Sequence, residues 1–335
     1  MIGKIENNRK NKFLNYTSSF LLAAILMYFA LKEVDFKEVI KELKNVRIGY
    51  ILIALGTYYL SLLARAEKWR IQVENLGYKL SSFKTFWVMV YHYFFNSFTV
   101  KLGAVARCTI LLRENVSMSK CLGTFISEMI YDIFFLIIAT IVMLVVEYKK
   151  VIPIFSGFKT NVDIYLSQRW KNLLIVFISI IILVFIIYFI SKKFLKNTKF
   201  GKWVLDKIKS FSFAVKSTFK LQKFPLFIAW NGVLWILLFF MNFYLARALN
   251  IPIISIGFII AITVFTYYGW LIPTPGGIGS VEYFVLQSFL LFALSRHSAI
   301  VYGLMSNTLT LFGILFLGLF GILFMKKKIF GISKE

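Results

Sequence analysis

The sequence predicts an all-α polytopic membrane protein, a helical bundle that contains two inverted, broken helical hairpins. Of the 335 residues, 59% are hydrophobic and 16% are charged, whereas soluble domains average about 45–50% apolar and about 25% charged residues. Lipid must therefore cover the surface that this chain cannot cover with polar groups. Two further observations predict the architecture: apolar runs as long as membrane spans, and interruptions in two of them.

Six uninterrupted apolar runs are candidate membrane-spanning helices, because about 20 helical residues cross a hydrocarbon core about 30 Å thick. They cover residues 13–31, 49–64, 121–146, 173–190, 226–245 and 299–325. The first follows a basic N-terminus without a small-residue cleavage site, so we interpret it as a retained span. We expect a single transmembrane domain over residues 1–335, with a first half at 13–147 and a second half at 173–325.

The formal charge of +24 is typical of basic cytoplasmic loops in a membrane protein and does not call for nucleic acid as a partner. Residues 191–223 join the two halves and carry ten lysines against one aspartate. This amphipathic segment is predicted to be cytoplasmic, either lying on the inner leaflet or packed on the protein. The same rule places both termini in the cytoplasm and the protein in the cell membrane.

Two apolar regions are broken. Residues 83–112 are interrupted around 97–103, and residues 253–294 are interrupted by Pro273, Pro275 and the glycines that follow. The charge pattern requires an even number of crossings from each region, so each is a hairpin, either two full spans or a re-entrant pair. The hairpins then enter from opposite sides, which in transporters indicates a substrate cavity between them. The alternative is that these residues only kink or close-pack helices.

Glu128 and Asp132 fall one turn apart on one face of the span at 121–146. Intramembrane carboxylates indicate a functional site when a partner can be named, and the candidate partners are Lys101, Arg107 and Arg65. Two adjacent acids repel, so one of them could bind a proton. A fixed ion pair between the hairpin and this span is the other interpretation.

Glu282 begins the returning helix of the second hairpin, where the helix dipole favours an acid. Helix capping explains this position. Alternatively, the helix N-terminus could receive an anionic lipid headgroup, with backbone amides contributed by Gly276, Gly277 and Gly279. Gly303, Ser306, Asn307, Thr310 and Gly313 form a small, polar stripe on the last span, which we interpret as structural packing.

The sequence signals neither a disulfide framework nor a metal cluster. It contains two cysteines, Cys108 and Cys121, and two histidines, His92 and His297. We therefore expect no cofactor.

Four motifs together resemble those of the flippase-like family that includes the lysylphosphatidylglycerol synthase transmembrane region. They are RAEKW at residues 65–69, LGAVAR at 102–107, EMIYD at 128–132 and PTPGGIGSVE at 273–282. The resemblance implies a bundle with two re-entrant elements that moves or accommodates aminoacylated phospholipids or polyprenyl-linked glycolipids. The family usually carries Pro and Glu where this chain has Thr99 and Ala104. The lipid-synthesising relatives carry a soluble catalytic domain fused to this bundle, and we expect this protein to lack it.

The leading hypothesis is a lipid translocase that is not an enzyme, with Arg107 and Lys101 pairing a phosphate while Glu128 and Asp132 balance the charge. The alternatives are a membrane-embedded headgroup transferase and a non-catalytic membrane partner of a separate transferase. A second copy of the chain is a further candidate partner. No nucleotide-binding loop is present in the sequence, so a gradient or the lipid's own imbalance would drive transport.

Overall fold

A computed structural model of the protein describes residues 21–32, 34, 36–99, 102–112, 116–148 and 220–324, with isolated positions between 206 and 216. All regular elements in these ranges are helices, as the sequence predicts. They are α1 (Leu21–Leu31), α2 (Phe36–Lys44), α3 (Ile48–Glu74), α4 (Ser82–Phe98), α5 (Leu102–Leu112), α6 (Met118–Val146), α7 (Phe224–Ala248), α8 (Ile256–Leu271), α9 (Ser280–Leu291) and α10 (Arg296–Phe324).

Four of the described helices, α3, α6, α7 and α10, are long and apolar enough to cross a membrane. They contain 25 to 29 residues, and at about 1.5 Å per residue each exceeds a hydrocarbon core of about 30 Å. These helices confirm the spans predicted at 49–64, 121–146, 226–245 and 299–325. The predicted span at 173–190, the start of the first span and most of the basic segment at 191–223 lie outside the described residues.

The second predicted span is wrong at its C-terminal end. Hydropathy ends it at residue 64, where charged residues begin, yet α3 continues to Glu74. Lys68 and Trp69 on this added stretch are fully buried, and Lys68 contacts acids of α6. Ion pairing therefore replaces hydration, so a charge at this point does not end the helix.

Both broken regions form helical hairpins, and their interruptions lie where the sequence predicts. In the first hairpin α4 ends at Phe98 and α5 begins at Leu102. In the second, α8 ends at Leu271, a short 3₁₀ turn covers Pro275–Gly277, and α9 begins at Ser280. Their limbs contain 11 to 17 residues, fewer than the roughly 20 that cross a bilayer. The re-entrant form stays a prediction.

The tips of the two hairpins meet. A Cβ atom placed on Gly276 would lie 3.6 Å from the carbonyl oxygen of Ser97, at the end of α4. Gly276 has a φ of 60° and Gly279 a φ of 81°, in the left-handed region that glycine adopts without strain. Gly279 also packs so closely on α1 that a Cβ atom would overlap the carbonyl oxygen of Ala23. The glycines thus allow both a sharp turn and a close approach of backbones.

The helices α3 to α6 and α7 to α10 form two comparable halves, each a long helix, a hairpin of two short helices and a second long helix. The leading helices α3 and α7 run antiparallel: Arg47 N donates to the carbonyl oxygen of Ala248 at 2.9 Å, and Lys223 Nζ lies 3.1 Å from Glu74 Oε2 at the other end. Opposite directions of the leading helices are what the predicted inversion requires.

The sequence does not signal a disulfide framework, whereas the structure contains one disulfide among the described residues. Cys108 of α5 and Cys121 of α6 are joined as a disulfide, with Cα atoms 5.5 Å apart. Two cysteines at a separation of 13 residues give no pairing signal by spacing. The packing of α5 against α6 brings them together, and the bond ties the returning limb of the first hairpin to the following span.

Candidate functional site

One face of α3 carries a series of polar and aromatic side chains into the protein interior. Arg65, Lys68, Trp69 and Gln72 follow the spacing i, i+3, i+4 and i+7, so a helix of 3.6 residues per turn places them on one side. Lys68, Trp69 and Gln72 are buried, with at most 2% of their surface exposed. This face meets Glu128 and Asp132 of α6.

Asp132, at the centre of α6, accepts from three side chains. Arg65 Nη1 lies 2.9 Å from its Oδ2, and Lys68 Nζ contacts its Oδ1. Tyr267 of α8 donates its hydroxyl to Oδ2 at 3.0 Å. Each carboxylate oxygen therefore has a charged donor, which stabilises the ionised form at this depth.

Glu128 lies one turn away and pairs with the first hairpin. Its Oε2 is 2.8 Å from Arg107 Nη1, and its Oε1 is 3.8 Å from Lys68 Nζ. Lys68 thus lies between the two acids and reduces their mutual repulsion. Both acids therefore face cations, which is the arrangement expected for a fixed ion pair between the hairpin and this span.

Arg107 is fully buried and held by aromatic rings as well as by Glu128. Its guanidinium carbon lies 4.3 Å from the ring centre of Trp69 and 5.1 Å from that of Phe125. Trp69 is fixed in turn because its Nε1 donates to Thr124 Oγ1 at 3.1 Å. Among the residues that the structure describes, Arg107 Nε and Nη2 have no hydrogen-bond partner, so the N–H groups of both nitrogens are unpaired there.

We call these five side chains the charged cluster: Arg65, Lys68, Arg107, Glu128 and Asp132. It contains three cations and two acids, so the described residues leave one positive charge in surplus. The cluster also links the hairpins, because Arg107 comes from the first and Tyr267, bound to Asp132, from the second. An anion would balance the surplus charge and satisfy the open donors of Arg107.

Glu282 lies in a second place, at the N-terminus of α9. Its Oε2 accepts from the backbone N–H of Gly279 at 2.7 Å, and its Oε1 accepts from Asn307 Nδ2 at 3.1 Å. The structure thus shows the capping arrangement. The amide of Gly277 donates to the carbonyl oxygen of Thr274 at 3.3 Å. Binding of a headgroup by Gly276, Gly277 and Gly279 stays a prediction.

The structure brings Arg65, Arg107, Glu128 and Asp132 together, and the ion pairs expected for both acids are present. No recorded contact among the described residues joins this cluster to Glu282, and Lys101 lies outside the described residues. Sequence reasoning missed Lys68 and Tyr267. The position of Lys68, three residues after Arg65 on a helix, could have found it; nothing in the sequence marks Tyr267.

In the small, polar stripe on α10, Asn307 does more than pack against a neighbouring helix, because its side chain donates a hydrogen bond to Glu282. Within the described ranges no group of three His, Cys, Asp or Glu side chains could hold a metal ion.

Comparison with protein families adds a decisive finding. The family model described as lysylphosphatidylglycerol synthase TM region matches residues 17–318, which is most of the chain. The chain belongs to this family. Comparisons with curated proteins and with solved structures found no match.

Membership in the lysylphosphatidylglycerol synthase TM region family confirms the resemblance and the assignment as a multi-pass membrane protein. The family match spans all four motifs that carry the resemblance. Three of them, at residues 65–69, 102–107 and 128–132, form the charged cluster, whereas the motif at 273–282 forms the tip of the second hairpin. Ala104, at the third position of the motif at 102–107, is buried, and Glu128 of α6 supplies the carboxylate that pairs with Arg107.

Proposed function

We propose that this protein moves lipids with an anionic headgroup across the cell membrane, with the headgroup phosphate bound at the charged cluster. The lipid class is a phospholipid or a polyprenyl-linked glycolipid, and both termini are cytoplasmic. One observation carries the proposal: in the part of the chain that the structure describes, Arg107 is fully buried with two unpartnered nitrogens, in a cluster that has one surplus positive charge.

The physical reason is the cost of charge in hydrocarbon. A bare charge at the bilayer centre costs about 2.5 to 3.5 kcal/mol or more on insertion scales. A planar guanidinium group with open N–H groups binds phosphate oxygens in pairs and lowers that cost. Glu128 and Trp69 hold one edge and one face of Arg107, so the open nitrogens are presented in a fixed orientation. Acyl or prenyl tails stay in the bilayer.

The test is a lipid-translocation assay in vesicles that contain the full chain. Fluorescent phosphatidylglycerol is the anionic probe, and phosphatidylcholine with the same label is the control lipid. A membrane-impermeant quencher measures the fraction of label that reaches the outer leaflet. We expect the full chain to accelerate movement of phosphatidylglycerol and Arg107→Ala to slow it by roughly tenfold or more, since a hydrogen bond to a charged group contributes about 1.5 to 3 kcal/mol.

Arg247→Ala is the matched control, because Arg247 is an exposed arginine at the end of α7. It should translocate lipid at the rate of the unaltered chain. Equal rates for Arg107→Ala and Arg247→Ala would contradict the proposal, as would no acceleration by the full chain. Mass spectrometry of the recovered probe should show unchanged lipid; a modified headgroup would instead indicate a transferase.

A further inference from the structure

Glu282 is a buried carboxyl group whose observed partners are neutral. Only 2% of its surface is exposed, and it accepts from the backbone of Gly279 and from the amide of Asn307. Gly303 of α10 packs against it: a Cβ atom placed there would lie 3.0 Å from Glu282 Cα. No ion pair of Glu282 occurs among the described residues.

The elements around Glu282 direct their titratable and charged side chains elsewhere. Helix α8 contributes Tyr267, bound to Asp132, and Tyr268, bound to Thr140. Helix α10 contributes Tyr302, bound to Asn242, and Arg296 and His297 at its far end, near Lys32 and Glu38. The other titratable groups on the described parts of α1, α4 and α9 are Tyr28, Lys84, Tyr91, His92, Tyr93 and Tyr283. None of these groups has a recorded contact with the carboxyl group of Glu282.

Comparison of the two halves shows how unusual this carboxyl group is. In the first half the returning hairpin helix α5 contacts the following long helix α6 through Arg107 and Glu128. In the second half the corresponding helices α9 and α10 make their contact through Glu282 and Asn307. The acid of the first half thus faces cations, and the acid of the second half faces an amide. A buried carboxylate without a cation is costly, and such groups neutralise by binding a proton.

Asn307 can serve either state of this carboxyl group. Its Nδ2 donates to Glu282, while its Oδ1 is buried and has no hydrogen-bond partner among the described residues. A half-turn of the amide would place Oδ1 against Glu282 Oε1, where it would accept a hydrogen bond from a protonated carboxyl group.

We propose that Glu282 and Asn307 form a proton-binding site that couples movement of the second hairpin to proton transfer across the membrane. A proton from water on one side forms an O–H bond with Glu282 and returns to water on the other side; no other bond changes. With the proton bound, the tip of the hairpin stays packed. Loss of the proton leaves a buried carboxylate that needs water, which opens the tip. Coupling to lipid rests on the proposed function, but proton binding does not.

Infrared difference spectroscopy of the full chain in lipid nanodiscs tests proton binding directly. Ordinary carboxyl groups are ionised at neutral pH, so a protonated Glu282 should give a carboxylic-acid C=O band that disappears at alkaline pH. The band should be absent in Glu282→Gln and should remain in the matched control Glu38→Gln, whose side chain is 60% exposed. Absence of the band in the unaltered chain, or its persistence in Glu282→Gln, would overturn the proposal.

Lipid movement under an imposed pH gradient tests the coupling. In the vesicle assay with fluorescent phosphatidylglycerol, we expect the rate of the unaltered chain to change several-fold when the gradient is reversed, and the rate of Glu282→Gln to be the same in both directions. Gradient dependence retained in Glu282→Gln would overturn the coupling. If the chain moves no lipid at all, the proposed function fails, and the infrared band still decides whether Glu282 binds a proton.

Discussion

Lys68 shows how a charged residue can occupy a membrane helix. Its side chain is fully buried, yet its amino group lies between Glu128 and Asp132. Removal of one partner from such a group leaves an uncompensated charge, which costs about 3–5 kcal/mol. The surplus positive charge of the cluster makes loss of an acid more harmful than loss of a cation. We therefore expect removal of an acid to lower the free energy of unfolding more than removal of a cation does.

At this scale we predict that Asp132→Asn strongly destabilises the protein. The substitution leaves Arg65 and Lys68 facing a neutral amide, so the free energy of unfolding should fall by roughly 3 kcal/mol or more. Lys68→Met should cost less, because Arg65 still pairs with Asp132. The apparent Tm in detergent, followed by the fluorescence of the tryptophans, measures both effects.

A double-mutant cycle supplies the control for this prediction. The combination of Lys68→Met with Asp132→Asn should be more stable than Asp132→Asn alone, because it removes a buried cation that has lost the nearer of its two carboxylates. Glu38→Gln, at an exposed carboxyl group, should leave Tm nearly unchanged. Strictly additive losses in the cycle would show that the two side chains do not interact as the structure indicates.

At the scale of helices, Gly103 determines how closely the two limbs of the first hairpin pack. A Cβ atom on Gly103 would overlap the carbonyl oxygen of His92 in α4, which is backbone and cannot rotate away. The amide of Gly103 also donates to Asn96 Oδ1 at 2.9 Å, which connects the start of α5 to α4. Gly103 thereby sets the position of Arg107, one turn further along α5.

We predict opposite effects from two glycine-to-alanine substitutions. Gly103→Ala should lower stability by about 1–3 kcal/mol, the usual cost of overpacking, despite the better helix propensity of alanine. Gly56→Ala is the matched control in α3, because a Cβ atom there meets nothing within 4 Å. It should raise stability by up to about 1 kcal/mol. Thermal unfolding of both variants measures the difference, and an equal shift for the two would contradict the proposed close approach.

At the scale of the whole molecule, the antiparallel leading helices relate the two halves by inversion. Contacts at both ends of α3 and α7 fix this direction. The charged cluster occupies the first half and the neutral pair of Glu282 and Asn307 the second, so the halves match in architecture and differ in chemistry. The proposed anion site and the proposed proton site therefore lie in different halves.

Membrane topology gives a prediction for the whole chain. In a Cys108→Ser/Cys121→Ser background, Lys41→Cys on α2 should react with an impermeant maleimide added to intact cells, because a cytoplasmic N-terminus followed by one membrane span places residues 32–47 outside. Lys79→Cys, beyond the end of α3, should react only after the cells are opened. Both lysines are exposed, which makes the pair a matched control. Labelling of Lys79→Cys in intact cells would reverse the proposed orientation.

The sequence by itself determined the fold class and most of the long spans, because hydrophobicity over about 20 residues reports directly on the bilayer. It also located both interruptions, since proline and glycine act on the local backbone. Glu128, Asp132 and their partners Arg107 and Arg65 were found because charge is rare inside a membrane and must be paired.

Only the tertiary structure decided which groups meet. Hydropathy ended the second span at residue 64, whereas acids of α6, distant in sequence, allow α3 to continue and bury Lys68. Three further features likewise depend on helices that pack side by side. They are the disulfide of Cys108 and Cys121, the hydrogen bond of Tyr267 to Asp132 and the neutral surroundings of Glu282. Local composition cannot report such contacts, because the free energy of a buried charge depends on partners that only the folded chain supplies.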